Sequence, residues 1–240
     1  MNIHFSIRAA LRQARHIFME RPWFYVVLMI VPVLGVITPE NNSLFFKICT
    51  GIIAFIWVYV WYAAALDAVD GKNEKLTLAS LKHYLPTIKQ VVFVFLTSML
   101  VVAGLVLAGI PAIVFGILFI FFTALGKIGL IGFLVLLILI LPVLYISVRL
   151  MFSAIVYVDQ KISPFAAVKT SWKMTKGSFW TALVVIIVVG CLEFIGAILF
   201  GIGLFIMYPI ASFILVQYYR SLQTPSAPIA PTVEPEVIQE

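Results

Sequence analysis

Apolar residues run along this chain in long blocks, and the polar residues between them gather into three short segments that are themselves amphipathic. Residues 3–21 set Ile7, Leu11, Ala14 and Phe18 on one side at helical spacing, and Arg8, Arg12 and Arg15 on another. Pro22 ends that helix, and a first apolar span follows over Trp23–Thr38, with Pro32 and Gly35 as kink points. A second span runs from Lys47 to Leu66, its far half crowded with Trp57, Tyr59, Trp61 and Tyr62 in the manner of an interfacial aromatic belt. Asp67–Gln90 is the second polar segment, with Leu78, Leu81 and Leu85 against Lys72, Lys75, Lys82 and Lys89, and Pro86 interrupting it. Val91–Tyr157 is then apolar, broken mainly at Gly109-Ile110-Pro111 and at Gly126–Gly129.

The third polar segment, Asp159–Trp180, has the clearest local grammar. Ser163 is a good N-cap, Pro164 suits a first helical position that needs no N–H, and Gly177 offers a C-terminal stop. Phe165, Val168, Trp172 and Phe179 fall near one stripe; Lys169, Lys173 and Lys176 fall on another. Two more spans, Trp180–Phe200 and Gly203–Tyr219, the latter kinked at Pro209, complete the apolar part.

Composition turns this pattern into a class. The chain is 63% hydrophobic and only 11% charged, with a mean hydropathy of +1.15, whereas a soluble domain is nearer half apolar and a quarter charged. Lipid is therefore the solvent for much of its surface, and the expected fold is all-α, a polytopic transmembrane helix bundle. The net charge of +6 comes from short clusters beside apolar spans, which points to anionic headgroups rather than nucleic acid. Cys49 and Cys191 lie in apolar runs and read as small buried residues, not as a redox pair. The N-terminal basic region, Arg8 to Arg21, is too long for a cleavable signal and no small-x-small site follows.

Charge also sets the topology. With Arg8, Arg12, Arg15 and Arg21 inside, two spans return the chain to the cytoplasm at Asp67, and two more bring the Lys-rich Asp159–Trp180 segment inside as well. Six spans follow, with Val91–Leu125 holding one bent or partly re-entrant element around Pro111 and an external turn at Gly126–Gly129. Both termini are then cytoplasmic, and the amphipathic helices lie on the cytoplasmic side. All but Lys47, Lys127 and Arg149 of the 16 Lys and Arg residues fall in the cytoplasm or at its interface. Residues 221–240, with Pro225, Pro228, Pro231 and Pro235 among Glu234, Glu236 and Glu240, read as a disordered spacer tail after a single domain, 1–220.

The polar segments echo one another. Ala9-Ala10-Leu11-Arg12, Ala79-Ser80-Leu81-Lys82 and Ala166-Ala167-Val168-Lys169 share a small-small-aliphatic-basic pattern, each followed at equal spacing by an aromatic: Trp23, Phe93 and Trp180. Val69-Asp70-Gly71-Lys72 is echoed by Val158-Asp159-Gln160-Lys161. Three copies of a surface helix plus a transmembrane hairpin, 3–66, 67–157 and 158–220, would account for both.

The run Arg149…Asp159…Ser163-Pro164-Phe165-Ala166-Ala167-Val168-Lys169…Ser171-Trp172…Lys176-Gly177…Phe179-Trp180 resembles the membrane domain associated with glycerophosphoryl diester phosphodiesterases. The specific part is about thirty residues; the rest matches in layout. The resemblance implies a stand-alone relative in a family of uncharacterised bacterial integral membrane proteins, placed in the inner (cytoplasmic) membrane. No segment reads as the soluble phosphodiesterase barrel, so hydrolase activity is not expected to carry over.

Candidate chemistry is sparse. His4, His16 and His83 have no partner at metal-ligand spacing, and no metal, other cofactor or catalytic constellation is assigned. Gly126, Gly129 and Gly132 lack the strand and the Gly-Lys-Ser/Thr ending of a phosphate loop. Gly104, Ala108 and Ala112 suggest close helix packing. The informative residues are charges in or beside apolar runs: Asp67, Arg149 and Glu193. Such groups cost roughly 2.5–3.5 kcal/mol at a helix centre and invite an intramembrane polar pocket shared by the three.

Two functions follow from different classes. The leading one is a non-enzymatic, lipid-associated or membrane-integrity accessory protein, contacting anionic headgroups through Arg8, Arg12, Arg15, Lys161, Lys169, Trp172, Lys173 and Lys176. The alternative is a small transporter or lipid-translocating protein using the Arg149–Glu193–Asp67 pocket. A continuous polar cavity favours transport and a closed apolar bundle the accessory role. A second copy of the chain or another membrane protein is left open as a partner.

Overall fold

The computed structural model describes residues 5–36, 44–72, 81–124, 130–198 and 203–223. They form ten helices: α1 (Ile7–Glu20), α2 (Pro22–Val36), α3 (Leu44–Val69), α4 (Leu81–Tyr84), α5 (Ile88–Ala124), α6 (Leu130–Leu150), α7 (Ser153–Gln160), α8 (Pro164–Met174), α9 (Phe179–Ile198) and α10 (Leu204–Gln223). The described residues contain no strand, as an all-α bundle requires. Four stretches are long and apolar enough to cross a membrane by length and composition: Cys49–Val69, Ile88–Ile117, Leu137–Gln160 and Phe179–Ile198. Of the other two expected spans, α2 is 15 residues long, and α10 is a 20-residue helix of mixed polarity.

Local chemistry explains where the helices begin and end. Ser6 caps α1, its Oγ accepting the Ala9 N–H at 3.4 Å, and Arg21 leaves helical geometry so that Pro22 can open α2. Ser163 caps α8 in the same way, with Pro164 at its first turn, and Gly177 takes φ +96° where the chain turns into α9. The tail beyond Gln223 and the turn at Gly126–Gly129 lie outside the described residues.

The centre of the bundle is α10. Residues Pro209–Ile214 and Val216–Tyr219 are all buried, against α9, α1, α3 and α2. α5 is the opposite case: only 11% of its apolar window is buried inside the bundle, and Val102, Val106, Leu107, Ile113 and Ile117 face outward, as a lipid-facing helix does. Gly104 is the point of close approach between α5 and α6, where a Cβ would meet Leu150 Cδ1 at 3.2 Å. Gly196 plays that part between α9 and α10, with Met207 Cβ at 3.0 Å and the Gly203 carbonyl oxygen at 3.1 Å.

Several expectations change here. Residues 88–124 form one helix of 37 residues with Pro111 inside it, a single element as expected but without the re-entrant form. Between Arg149 and Asp159 the helix breaks at Met151-Phe152, where Ser153 Oγ donates to the Leu150 carbonyl at 2.8 Å. The aromatics of α3 are not a belt facing lipid. Tyr59 and Trp61 are buried, Trp57 stacks on Trp61, and the Trp57 indole N–H donates to the Leu28 carbonyl at 2.8 Å. Cys191 is exposed on the outside of α9 rather than buried, because α9 turns Ala182, Val185 and Gly196 inward instead.

Candidate functional site: a charged and aromatic end of the bundle

Three helices deliver their C-terminal ends to one place. Asp70 follows α3, Asp159 closes α7, and Arg220 stands in the last turn of α10. The Arg220 guanidinium donates from Nε to Asp70 Oδ1 at 3.0 Å and from Nη2 to Asp70 Oδ2 at 2.7 Å. Its Nη1 donates to Asp159 Oδ2 at 2.9 Å and to Gln223 Oε1 at 2.8 Å. Only a planar fork with five donors can hold two carboxylates from two helices in this way. Asp159 Oδ2 also accepts from Tyr219 Oη at 2.7 Å and from Gln223 Nε2 at 3.0 Å. Burial works against the Arg220 charge, but the hydrogen bonds and charges of Asp70 and Asp159 outweigh it and hold the pKa above its ordinary value.

Asp67, three residues before Asp70, is bound separately. Tyr84 of α4 donates to its Oδ2 at 2.8 Å and Lys72 Nζ to its Oδ1 at 3.1 Å. The hydrogen bond and charge of Asp67 raise the Lys72 pKa, and burial together with the Asp67 bond raises that of Tyr84. Asp67, Asp70, Asp159, Lys72, Lys161 and Arg220, with Tyr59, His83 and Tyr84, line an open depression of about 230 Å³. Further ties fix the same end. Gln90 at the start of α5 donates to Tyr59 Oη at 3.0 Å, Tyr218 Oη donates to the Ser178 carbonyl at 3.3 Å, and the Phe5 ring meets Tyr218 with centroids 5.0 Å apart. The chain therefore returns to one end after α3, after α7 and after α10.

The basic helices lie at this end. On α1, Ala10, Ala14, Ile17 and Phe18 are buried and Arg8, Arg12 and Arg15 are exposed. On α8 the buried side is made of small residues, Ala167 and Ser171, continued by Thr175. Ser171 Oγ donates to the Arg149 carbonyl at 2.8 Å, which seats α8 against the end of α6. The expected aromatic stripe is thus not the packed one: Phe165 is 70% exposed and Trp172 is 39% exposed, because only small side chains let α8 approach this closely. Lys161, Lys169, Lys173 and Lys176 are exposed beside them, and Trp180 at the start of α9 is exposed as well. Lys161 itself takes φ +52° as the left-handed cap of α7.

Arg149, Glu193 and Asp67 are not brought together. Arg149 forms no ion pair with either carboxylate among the described residues. Its guanidinium lies 5.0 Å from the Tyr145 ring centroid and 5.5 Å from that of Trp172, and its Nη2 donates to Tyr145 Oη at 2.9 Å. Asp67 already has Lys72 and Tyr84. Glu193, partly buried on α9, lies within electrostatic reach of Tyr62 and Tyr208 instead. Among the described residues the three side chains leave their helices toward different neighbours and form no hydrogen bond or ion pair with one another. Residue type alone could not show those directions.

No group of three metal-binding side chains occurs among the described residues; His16 Nδ1 is 3.0 Å from Glu20 Oε1, and His83 packs edge-on against Tyr84. His4 lies outside the described residues.

Residues 119–224 match the membrane domain of glycerophosphoryl diester phosphodiesterase. The matched part opens near the end of α5 and carries Arg149, Asp159, the whole of α8 and Arg220; Asp67, Asp70 and α1 lie before it. The family is defined here by a membrane domain, in accord with the four apolar helices. No curated protein and no solved structure matches the chain.

Proposed function

We propose that this chain is a non-enzymatic, lipid-associated membrane protein whose basic and aromatic end lies on the cytoplasmic headgroup layer. On this reading it spans the inner membrane six times, in three hairpins each preceded by a surface segment, with both termini inside. The observation that carries it is the exposure of Lys169, Lys173 and Lys176 next to exposed Phe165, Trp172 and Trp180 on one end of an apolar bundle. Cations with large rings beside them suit an interface where rings enter the acyl boundary and charges meet phosphates. Arg8, Arg12 and Arg15 on α1 add a second cationic row at that end.

Each Lys or Arg near an anionic surface contributes about 1 kcal/mol, and salt screens it. Purified protein should therefore retain more anionic than neutral lipid, with the difference shrinking as salt rises. Replacing Lys169, Lys173 and Lys176 by Gln should remove most of the salt dependence. Equal retention of neutral and anionic lipid by the unaltered protein would sink the proposal.

A further inference from the structure

Arg149 is 8% exposed, and its Nε and Nη1 have no hydrogen-bond partner. The rings of Tyr145 and Trp172 cover its faces at 5.0 and 5.5 Å, but a ring face accepts no in-plane N–H bond. A buried cation with open donors is costly unless something anionic completes it, and neither Asp67 nor Glu193 does. Both rings are themselves 39% exposed, so the guanidinium lies one side-chain layer beneath the outer surface. It stands in the last turn of α6, where an apolar span meets the basic helix α8, with exposed Lys169 and Lys173 flanking Trp172. At that depth the abundant oxyanion is the phosphodiester of a phospholipid, whose paired oxygens fit a guanidinium edge.

We propose that Arg149 is the recognition group of a discrete phospholipid site beneath α8, with Trp172 as the side chain that moves aside to admit the phosphodiester. The site deepens, and rests on, the lipid-contact reading; it differs from the diffuse cationic face in holding one lipid.

Native mass spectrometry of the full chain in detergent tests it, using phosphatidylglycerol, diacylglycerol with the same acyl chains, and inorganic phosphate as probes. One phosphatidylglycerol should bind more tightly than any further copies, and diacylglycerol should not replace it. Arg149→Gln should weaken that first binding roughly ten- to hundred-fold, the loss of charge-assisted hydrogen bonds, and Arg149→Lys should recover part. An Arg8, Arg12 and Arg15 to Gln variant, altered on α1 rather than on α8, should keep the tight lipid while losing salt-sensitive copies, which separates failure of this site from failure of the cationic face. If Arg149→Gln does not fold, Arg149→Lys takes its place: it keeps the charge but loses the planar fork, so its first phosphatidylglycerol should bind more weakly than that of the unaltered protein. Phosphatidylglycerol but not diacylglycerol should also stabilise the unaltered protein. Equal binding of the two lipids would overturn the proposal. So would a tight lipid unaffected by Arg149→Gln, and displacement by millimolar inorganic phosphate would make the site one for the free anion.

Discussion

Arg220 and Asp70, 150 residues apart in the chain, meet through two parallel hydrogen bonds of 3.0 and 2.7 Å. The remaining Arg220 nitrogen reaches Asp159, so one side chain ties the ends of α3, α7 and α10. Lysine cannot form this fork. Arg220→Lys should cost nearly as much as Arg220→Ala, about 1–3 kcal/mol, read as thermal unfolding in detergent. Asp70→Asn combined with Arg220→Ala should cost less than the sum of the two, since each single change already breaks the pair. Full additivity would mean the contact contributes nothing to stability.

The α9–α10 hairpin closes on Gly196, where a Cβ would stand 3.1 Å from the Gly203 backbone. Backbone cannot step aside as a flexible side chain can. Gly196→Leu should destabilise the protein by about 1–3 kcal/mol through overpacking, whereas Gly190→Leu, with open space around it, should be nearly silent. Equal melting temperatures for the two variants would contradict the packing.

Alkaline pH should loosen the contact between α4 and the end of α3. Tyr84 and Lys72 both have raised pKa values, so the folded state favours their protonated forms. Their contribution is complete below the unfolded values near 10 and 10.5 and is lost as pH rises through the higher folded ones. Tyr84→Phe should flatten the alkaline fall in melting temperature, because no phenolate can then form beside the Asp67 carboxylate. An unchanged alkaline limb in that variant would remove Tyr84 as its cause.

The proposed topology makes a prediction of its own. A reporter fused after Gly177 and another after Arg220 should both read cytoplasm. An external signal at Gly177 would overturn the six-span arrangement and the three-fold repeat together.

The sequence revealed local features and hid distant ones. The caps at Ser163, Pro164 and Gly177 were legible because each depends on residues within a turn of itself. The roles of Asp70, Asp159, Tyr84 and Tyr219 were not, since only the folded chain brings them together. One signal did point there: the echo of Val69-Asp70-Gly71-Lys72 in Val158-Asp159-Gln160-Lys161 marks the two carboxylates that Arg220 joins. Helical spacing misjudged α8, where Ala167 and Ser171 face inward, because apolar rings can face lipid as readily as protein. It misjudged Trp61 for the converse reason: a ring that suits an interface also suits a core closed by Tyr208, 5.2 Å away.

The length of α5 bears on the bilayer as well as on the protein. A helix of 37 residues is about 55 Å long at 1.5 Å per residue, while the hydrocarbon layer is about 30 Å thick. Even inclined at about 40°, the steep end of the usual range, a straight rod of that length rises about 42 Å along the membrane normal. Its C-terminal half still carries exposed Ile110, Ile113, Val114, Ile117 and Ile120, which gain nothing from reaching water. The hairpin therefore favours a thickened collar of lipid around itself. Melting temperature in reconstituted bilayers should rise with acyl-chain length, and the protein should partition toward the thicker regions of a mixed membrane.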